Sequence, residues 1–109
     1  MNVNDFADSL NCEKLALPNG ERVVESVYTG DLLSWVMGRA KSGCAWITIM
    51  TNVNVCAVAS LVDASCVIIA ENAEVSDDVI KTANSNGINL IRSDASVYEL
   101  CVMIHIILK

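Results

Sequence analysis

Few side chains in this sequence are of a type that could do chemistry, and fewer are spaced to do it together. The single histidine, His105, stands inside an apolar stretch with no identifiable acid–base partner, and Lys109, further along, is a cation. An imidazole so placed reads as a packed or interface group. Five cysteines occupy positions 12, 44, 56, 66 and 101, with no C-x-x-C pair among them. One histidine and no cysteine pair leave the usual zinc ligand set incomplete. Cys56, Cys66 and Cys101 fall inside apolar segments and read as small core hydrophobes. Cys12 and Cys44, near segment ends, are the candidates for a reactive thiol. Neither a G-x-x-x-x-G-K-[ST] phosphate loop, a G-x-G-x-x-G turn nor a G-x-S-x-G elbow occurs. Asp77 and Asp78 are adjacent, so on a helix they diverge, and their place in a first turn is explained by the helix dipole. The expectation is no catalytic residue, no metal and no cofactor.

What remains is position. In parallel α/β sheets ligands favour the carboxyl ends of the strands, where helix N-termini offer free amides. That edge contains Gly30 and Asp31, then Thr51, Asn52 and Asn54, and finally Arg92. Thr51, Asn52 and Asn54 are polar and uncharged after a strongly apolar run, and form the leading ligand-binding candidates, with Gly30, Asp31 and Arg92 nearby. The competing role for Asn52 or Asn54 is to cap the helix that follows.

The elements that would position these groups come from periodicity. Three apolar runs, 45–50, 65–70 and 88–91, alternate with helix-like segments at 54–63, 76–86 and 96–109. Strands separated by helix-length crossovers cannot pair as hairpins, so they are expected to be parallel. Upstream, the spacing of Val3, Phe6, Ala7 and Leu10 predicts a short helix. Brief strands are expected at 15–17 and 22–28, followed by a helix capped by Asp31. The fold expected is a single α/β domain over residues 1–109, a mostly parallel sheet of four or five strands with helices on both faces. Trp35, Trp46, Ile47, Ile49, Val58, Leu61, Val67, Ile68, Ile69, Leu90 and Ile91 are the expected core.

The last helix is unusual. Ser96 and Glu99 match the capping box that opens it. Val97, Leu100, Cys101, Val102, Met103, Ile104, Ile106, Ile107 and Leu108 then cover nearly its whole circumference, and a helix apolar all round must be buried all round. A domain of 109 residues cannot easily wrap a terminal helix, so a second copy is the economical cover. Val97, Cys101, Met103, Ile104 and Ile107 are the expected dimer interface.

Composition agrees. Hydrophobic residues make up 53% and charged residues 18%, an apolar surplus that suits an extra buried surface. The formal charge is −6 and basic patches are absent, so neither nucleic acid nor a membrane is an expected partner. The odd cysteine count and the polar N-terminus suggest a reducing cytoplasm.

The order of segments resembles the DRTGG-domain family, related to the N-terminal domain of HPr kinase/phosphorylase, and its small stand-alone members in particular. The residues that carry the resemblance run from Gly30-Asp31-Leu32-Leu33-Ser34-Trp35-Val36-Met37-Gly38 through Ala45-Trp46-Ile47-Thr48-Ile49 and Asn54-Val55-Cys56-Ala57-Val58-Ala59. They continue through Ala64-Ser65-Cys66-Val67-Ile68-Ile69 and the segment 83–91 to Tyr98-Glu99-Leu100. One departure stands out: where relatives tend to carry a glycine pair, this chain has Glu71-Asn72-Ala73. The resemblance implies a regulatory or assembly module without the kinase domain and its phosphate loop. Three functions follow as expectations. The first is a non-catalytic cytoplasmic module acting as a homodimer, with a protein of the same pathway as a further partner. The second is a sensor of a nucleotide or other small anion at the strand ends. The third is a thiol-based enzyme.

Overall fold

The computed structural model describes residues 1–108. Lys109, expected at the end of the last helix, lies outside the described residues. In chain order the elements are α1 (Val3–Ser9), β1 (Glu13–Ala16), β2 (Ser26–Thr29), α2 (Leu33–Arg39), β3 (Cys44–Thr48) and α3 (Asn54–Leu61). They continue as β4 (Cys66–Ile69), α4 (Asp77–Ser85), β5 (Leu90–Arg92) and α5 (Val97–Ile107). The strands form one sheet in the order β1-β5-β4-β3-β2. β2, β3, β4 and β5 are parallel, with Val27 opposite Ala45, Ile47 opposite Ile68 and Ile68 opposite Ile91. β1 is the exception, running antiparallel to β5. The sheet is therefore mixed at one edge and parallel elsewhere.

β3 and β4 are buried at every position, as strands covered on both faces must be. Their side chains still alternate, each face feeding a separate core. Trp46, Val67, Ile69 and Leu90 pack with Val36, Val55, Val58 and Val79 on one side. Ala45, Ile47, Cys66, Ile68 and Ile91 pack on the other with Phe6 of α1 and Leu100 and Ile104 of α5.

Three expected core residues are exposed: Trp35, Ile49 and Leu61. Trp35 neighbours the buried Val36 on α2 but points outward, with the Arg39 guanidinium 3.7 Å from its ring centroid. Leu61 closes α3 on the wrong side; steps of about 100° put it some 140° from the centre of the arc buried by Val55, Cys56, Val58, Ala59 and Val62. Ile49 lies one residue past β3, where no helix covers it. The strand expected at 22–28 is also shorter. Residues before Ser26 are held by the N-terminus instead, Val3 N–H donating to the Arg22 carbonyl and Val24 N–H to that of Met1, both at 2.9 Å.

The capping box of α5 is present in full: Ser96 Oγ accepts from Glu99 N–H and Glu99 Oε1 from Ser96 N–H, each at 3.1 Å. Asn89, expected only as a strand residue, is buried and ties three segments. Its Nδ2 donates to the carbonyls of Asn19 (2.8 Å) and Ser65 (2.9 Å), and its Oδ1 accepts from Asn19 N–H (3.0 Å). The loop around Pro18 is thereby fastened to the amino ends of β4 and β5.

Candidate functional site

The carboxyl edge of the sheet carries two clusters. The first lies at the ends of β2 and β3. Asp31 does not cap α2; Leu32 occupies that position and makes no side-chain bond there. Asp31 Oδ1 instead accepts from the hydroxyl of Thr48 (2.7 Å) and the backbone N–H of Ile49 (2.9 Å). Thr48 is buried, and its oxygen accepts in turn from Met50 N–H at 3.1 Å. Gly30 accepts on its carbonyl from the indole N–H of Trp46 at 2.9 Å. Asn52 Oδ1 accepts from Asn54 N–H at 2.9 Å, a local turn ahead of α3. The N-cap of α3 is Val53, which makes no side-chain bond, so neither Asn52 nor Asn54 caps the helix. Gly30, Asp31 and Asn52 thus use polar atoms to fix the loops, with Thr51 half-buried and Asn54 exposed beside them.

Arg92 does not join this group. One strand separates β5 from β3 and two separate it from β2, so steps of ~4.8 Å set Arg92 about 10 Å from the β3 end of the cluster and about 14 Å from its β2 end. It centres a second cluster instead. Its Nη2 donates to Glu13 Oε1 at 2.8 Å and its Nη1 to the Ala73 carbonyl at 3.3 Å. Its Nε is buried with no hydrogen-bond partner among the described residues. Asn11, Glu13, Asn72, Arg92 and Asp94 line a polar cavity of about 160 Å³. Two carboxylates against one guanidinium suit a ligand that brings hydroxyl or amine donors better than a bare phosphate.

The turn beside this cavity is the one where glycines are replaced. Glu71 and Asn72 nevertheless adopt the left-handed backbone, with φ of 61° and 52°. Glu71 N–H donates to the Ala95 carbonyl (2.9 Å) and Asn72 N–H to that of Ser93 (2.8 Å), which hold the turn against its intrinsic cost. Asn11, Glu13, Asn72 and Asp94 are not singled out by any motif. The one available signal in the sequence is that substituted turn.

On α5, Leu100 and Ile104 point into the sheet, Ile104 at 1% exposure. Ile104, expected at the dimer interface, is therefore a residue of its own chain's core. Val97, Cys101, Met103 and Ile107 are half-buried at the margins. The outward stripe is Tyr98, Val102 and Ile106, exposed by 77%, 43% and 64%. Beside α5 a largely apolar groove of about 310 Å³ opens toward β2, lined by Val27, Cys101, Ile104, His105 and Leu108.

The thiols are poorly suited to nucleophilic work. Burial, with Asp94 adding to it, pushes Cys12 up to about 11, and burial also raises Cys44, Cys56 and Cys66. Reactive cysteines need the opposite shift, so the thiol-enzyme reading loses its support. Among the described residues no group of three or more His, Cys, Asp or Glu could hold a metal, and no helix is long and apolar enough to cross a membrane.

No family model matches the sequence, and no curated protein matches it at a significant level. Among solved structures, the chain is similar to the CBS and DRTGG domains of the regulatory region of Clostridium perfringens pyrophosphatase, crystallised with the activator diadenosine tetraphosphate. The TM-score is 0.74 at 15% identity, covering 94% of this chain and 45% of that one. The chain thus spans less than half of that structure, and what the two share at this identity is a fold. It is the α/β fold that the DRTGG resemblance implied.

Proposed function

We propose that residues 1–109 act as one DRTGG-like regulatory module, without catalysis of its own, that works as a homodimer in the cytoplasm. The observation that carries this reading is the apolar stripe of Tyr98, Val102 and Ile106 on a helix whose opposite face is already buried in its own core. A contiguous exposed patch of this kind marks an interaction surface. The fold likeness to a regulatory region supports the regulatory role, and five free cysteines suit a reducing compartment. Sedimentation at micromolar concentration tests the reading: a dimer is expected, and a stable monomer would falsify it. A protein of the same pathway is a further partner for the assembled module.

A second reading, a nucleotide or small-anion sensor, is favoured by the dinucleotide bound to the similar structure, and the cavity at Arg92 suits the hydroxyl and amine donors of a nucleotide. Its candidate ligand residues are Thr51, Asn52, Asn54, Gly30 and Asp31 at one cluster and Arg92 at the other. Chemical-shift mapping with adenine and uridine nucleotides distinguishes them: shifts confined to 30–31 and 51–54 favour the first cluster, and shifts at 11–13, 72 and 92–94 the second. Unchanged spectra with every nucleotide would leave the interaction module alone.

A further inference from the structure

We propose that two copies pair their α5 helices antiparallel about Val102, and that each Tyr98 ring fills the other copy's groove between α5 and β2. The inference rests on the homodimer reading and specifies its geometry. Tyr98, Val102 and Ile106 are spaced four apart, so they form one ridge, with Val102 at its middle. A two-fold axis at Val102 brings Tyr98 of one helix level with Ile106 of the other. The ridge spans about 12 Å from end to end at ~1.5 Å per residue, enough for both tyrosines to engage at once.

The flank matters as much as the height. On a wheel of about 100° per residue, Tyr98 leans from Val102 toward the side that carries Cys101 and His105. A two-fold axis perpendicular to antiparallel helices keeps like flanks together. Each Tyr98 therefore arrives beside His105 and Ile106 of the other copy, on the flank where Val27, Cys101, His105 and Leu108 open the groove. Knob and hole belong to the same helix at positions one symmetry operation relates, which is what an isologous contact requires.

Chemistry and area both fit a second copy. The groove is apolar apart from His105, and a tyrosine brings an apolar ring with one hydroxyl at its tip. That hydroxyl has the imidazole as its hydrogen-bonding partner. Covering a tyrosine removes about 150–200 Å² from water, a fifth or more of the ~800 Å² per partner in a stable interface. Val102, Ile106 and Val27 lie around the same contact and supply further area. The ridge of Tyr98, Val102 and Ile106 itself carries no charge although the chain is formally −6. A different protein on this face would leave the matched ring and groove unused by each other.

The test is an isotope-filtered nuclear Overhauser experiment on a mixture of labelled and unlabelled copies of this 109-residue chain, with sedimentation alongside. Intermolecular contacts from the Tyr98 ring to the methyl groups of Val27 and Leu108 are expected. Tyr98→Ala, at a site too exposed to disturb the fold, should weaken dimerisation at least tenfold, and Tyr98→Phe less. A dimer without those contacts, or one indifferent to Tyr98→Ala, overturns this geometry and leaves the homodimer reading standing. A monomeric wild type overturns both.

Discussion

The two edges of the sheet are finished in opposite ways. At the β1 edge, Glu13 pairs with Arg92 and Lys14 with Asp8, each at 2.8 Å, and the short strand runs antiparallel to its neighbour. At the β2 edge, Ser26–Thr29 carries no charged side chain, and Val27 is exposed. Leu32, Trp35 and Met37 on or beside the following helix are exposed too, as is Ile49 past the end of β3. Proteins commonly guard sheet edges with charge to prevent unwanted pairing. Here one edge is guarded and the other left apolar, beside the groove that Val27 shares with α5. The contrast fits the proposal that association belongs to the β2 side and small polar ligands to the β1 side.

The strongest way to break that division is on α5 itself. Ile104→Glu would bury an unpaired carboxylate under the sheet and should leave the chain unfolded by circular dichroism, since such burial costs several kcal/mol or more. Ile106→Glu, on the outward ridge, should keep the fold and sediment as a monomer. If both variants behaved alike, the assignment of inner and outer faces would be wrong.

The interior between the edges sets a reference. Ile68→Ala, at a fully buried β4 position, should lower unfolding free energy in urea by about 2–5 kcal/mol. A loss below about 0.5 kcal/mol, the size of a surface substitution, would contradict its burial. Asn89→Ala should cost roughly 1–3 kcal/mol, because it strands the backbone groups of Asn19 and Ser65.

At the charged edge effects should be small. Glu13→Gln removes an exposed ion pair with Arg92, so urea denaturation should show less than about 1 kcal/mol of change. Its sedimentation should match the wild type, in contrast to Ile106→Glu. The smallest effect is expected at Asp63, at neither edge's contact surface. Hydrogen bonds from Arg22 and then Ser42 hold its carboxyl below the usual carboxylate range. A folded-state pKa below the unfolded value contributes stability above the unfolded value of about 3.9, lost as pH falls through the lowered one. The stability gap between wild type and Asp63→Asn should therefore be present at neutral pH and close in acid. A gap that widened in acid would reverse the sign of the shift.

Much of the fold is legible in the residue pattern alone. The run at 65–70 contains β4, those at 45–50 and 88–91 overlap β3 and β5 to within one residue at one end, and Ser96 with Glu99 caps α5 as their spacing indicates. Strand alternation, helical period and caps are local: each depends on residues within about one turn or pleat of one another. The same locality explains the misplaced core residues. Trp35, Ile49 and Leu61 are apolar and sit in or beside the right elements, but whether a position faces a neighbour depends on where the neighbour stops.

The sequence by itself determined the order of most strands and helices, that the sheet is largely parallel, and that α5 is apolar over nearly its whole circumference. The tertiary structure alone decided the rest. Asp31 holds β3 rather than capping its helix because Thr48 and Ile49 lie within reach across 17 and 18 residues. Arg92 turns away from Thr51 and Asn52 to Glu13, 79 residues distant, because strand order puts β1 beside β5 and β2 at the far edge. Which side of α5 is left open follows from the sheet it lies on. Such pairings depend on chain closure over long separations, and no local pattern of residue types encodes them.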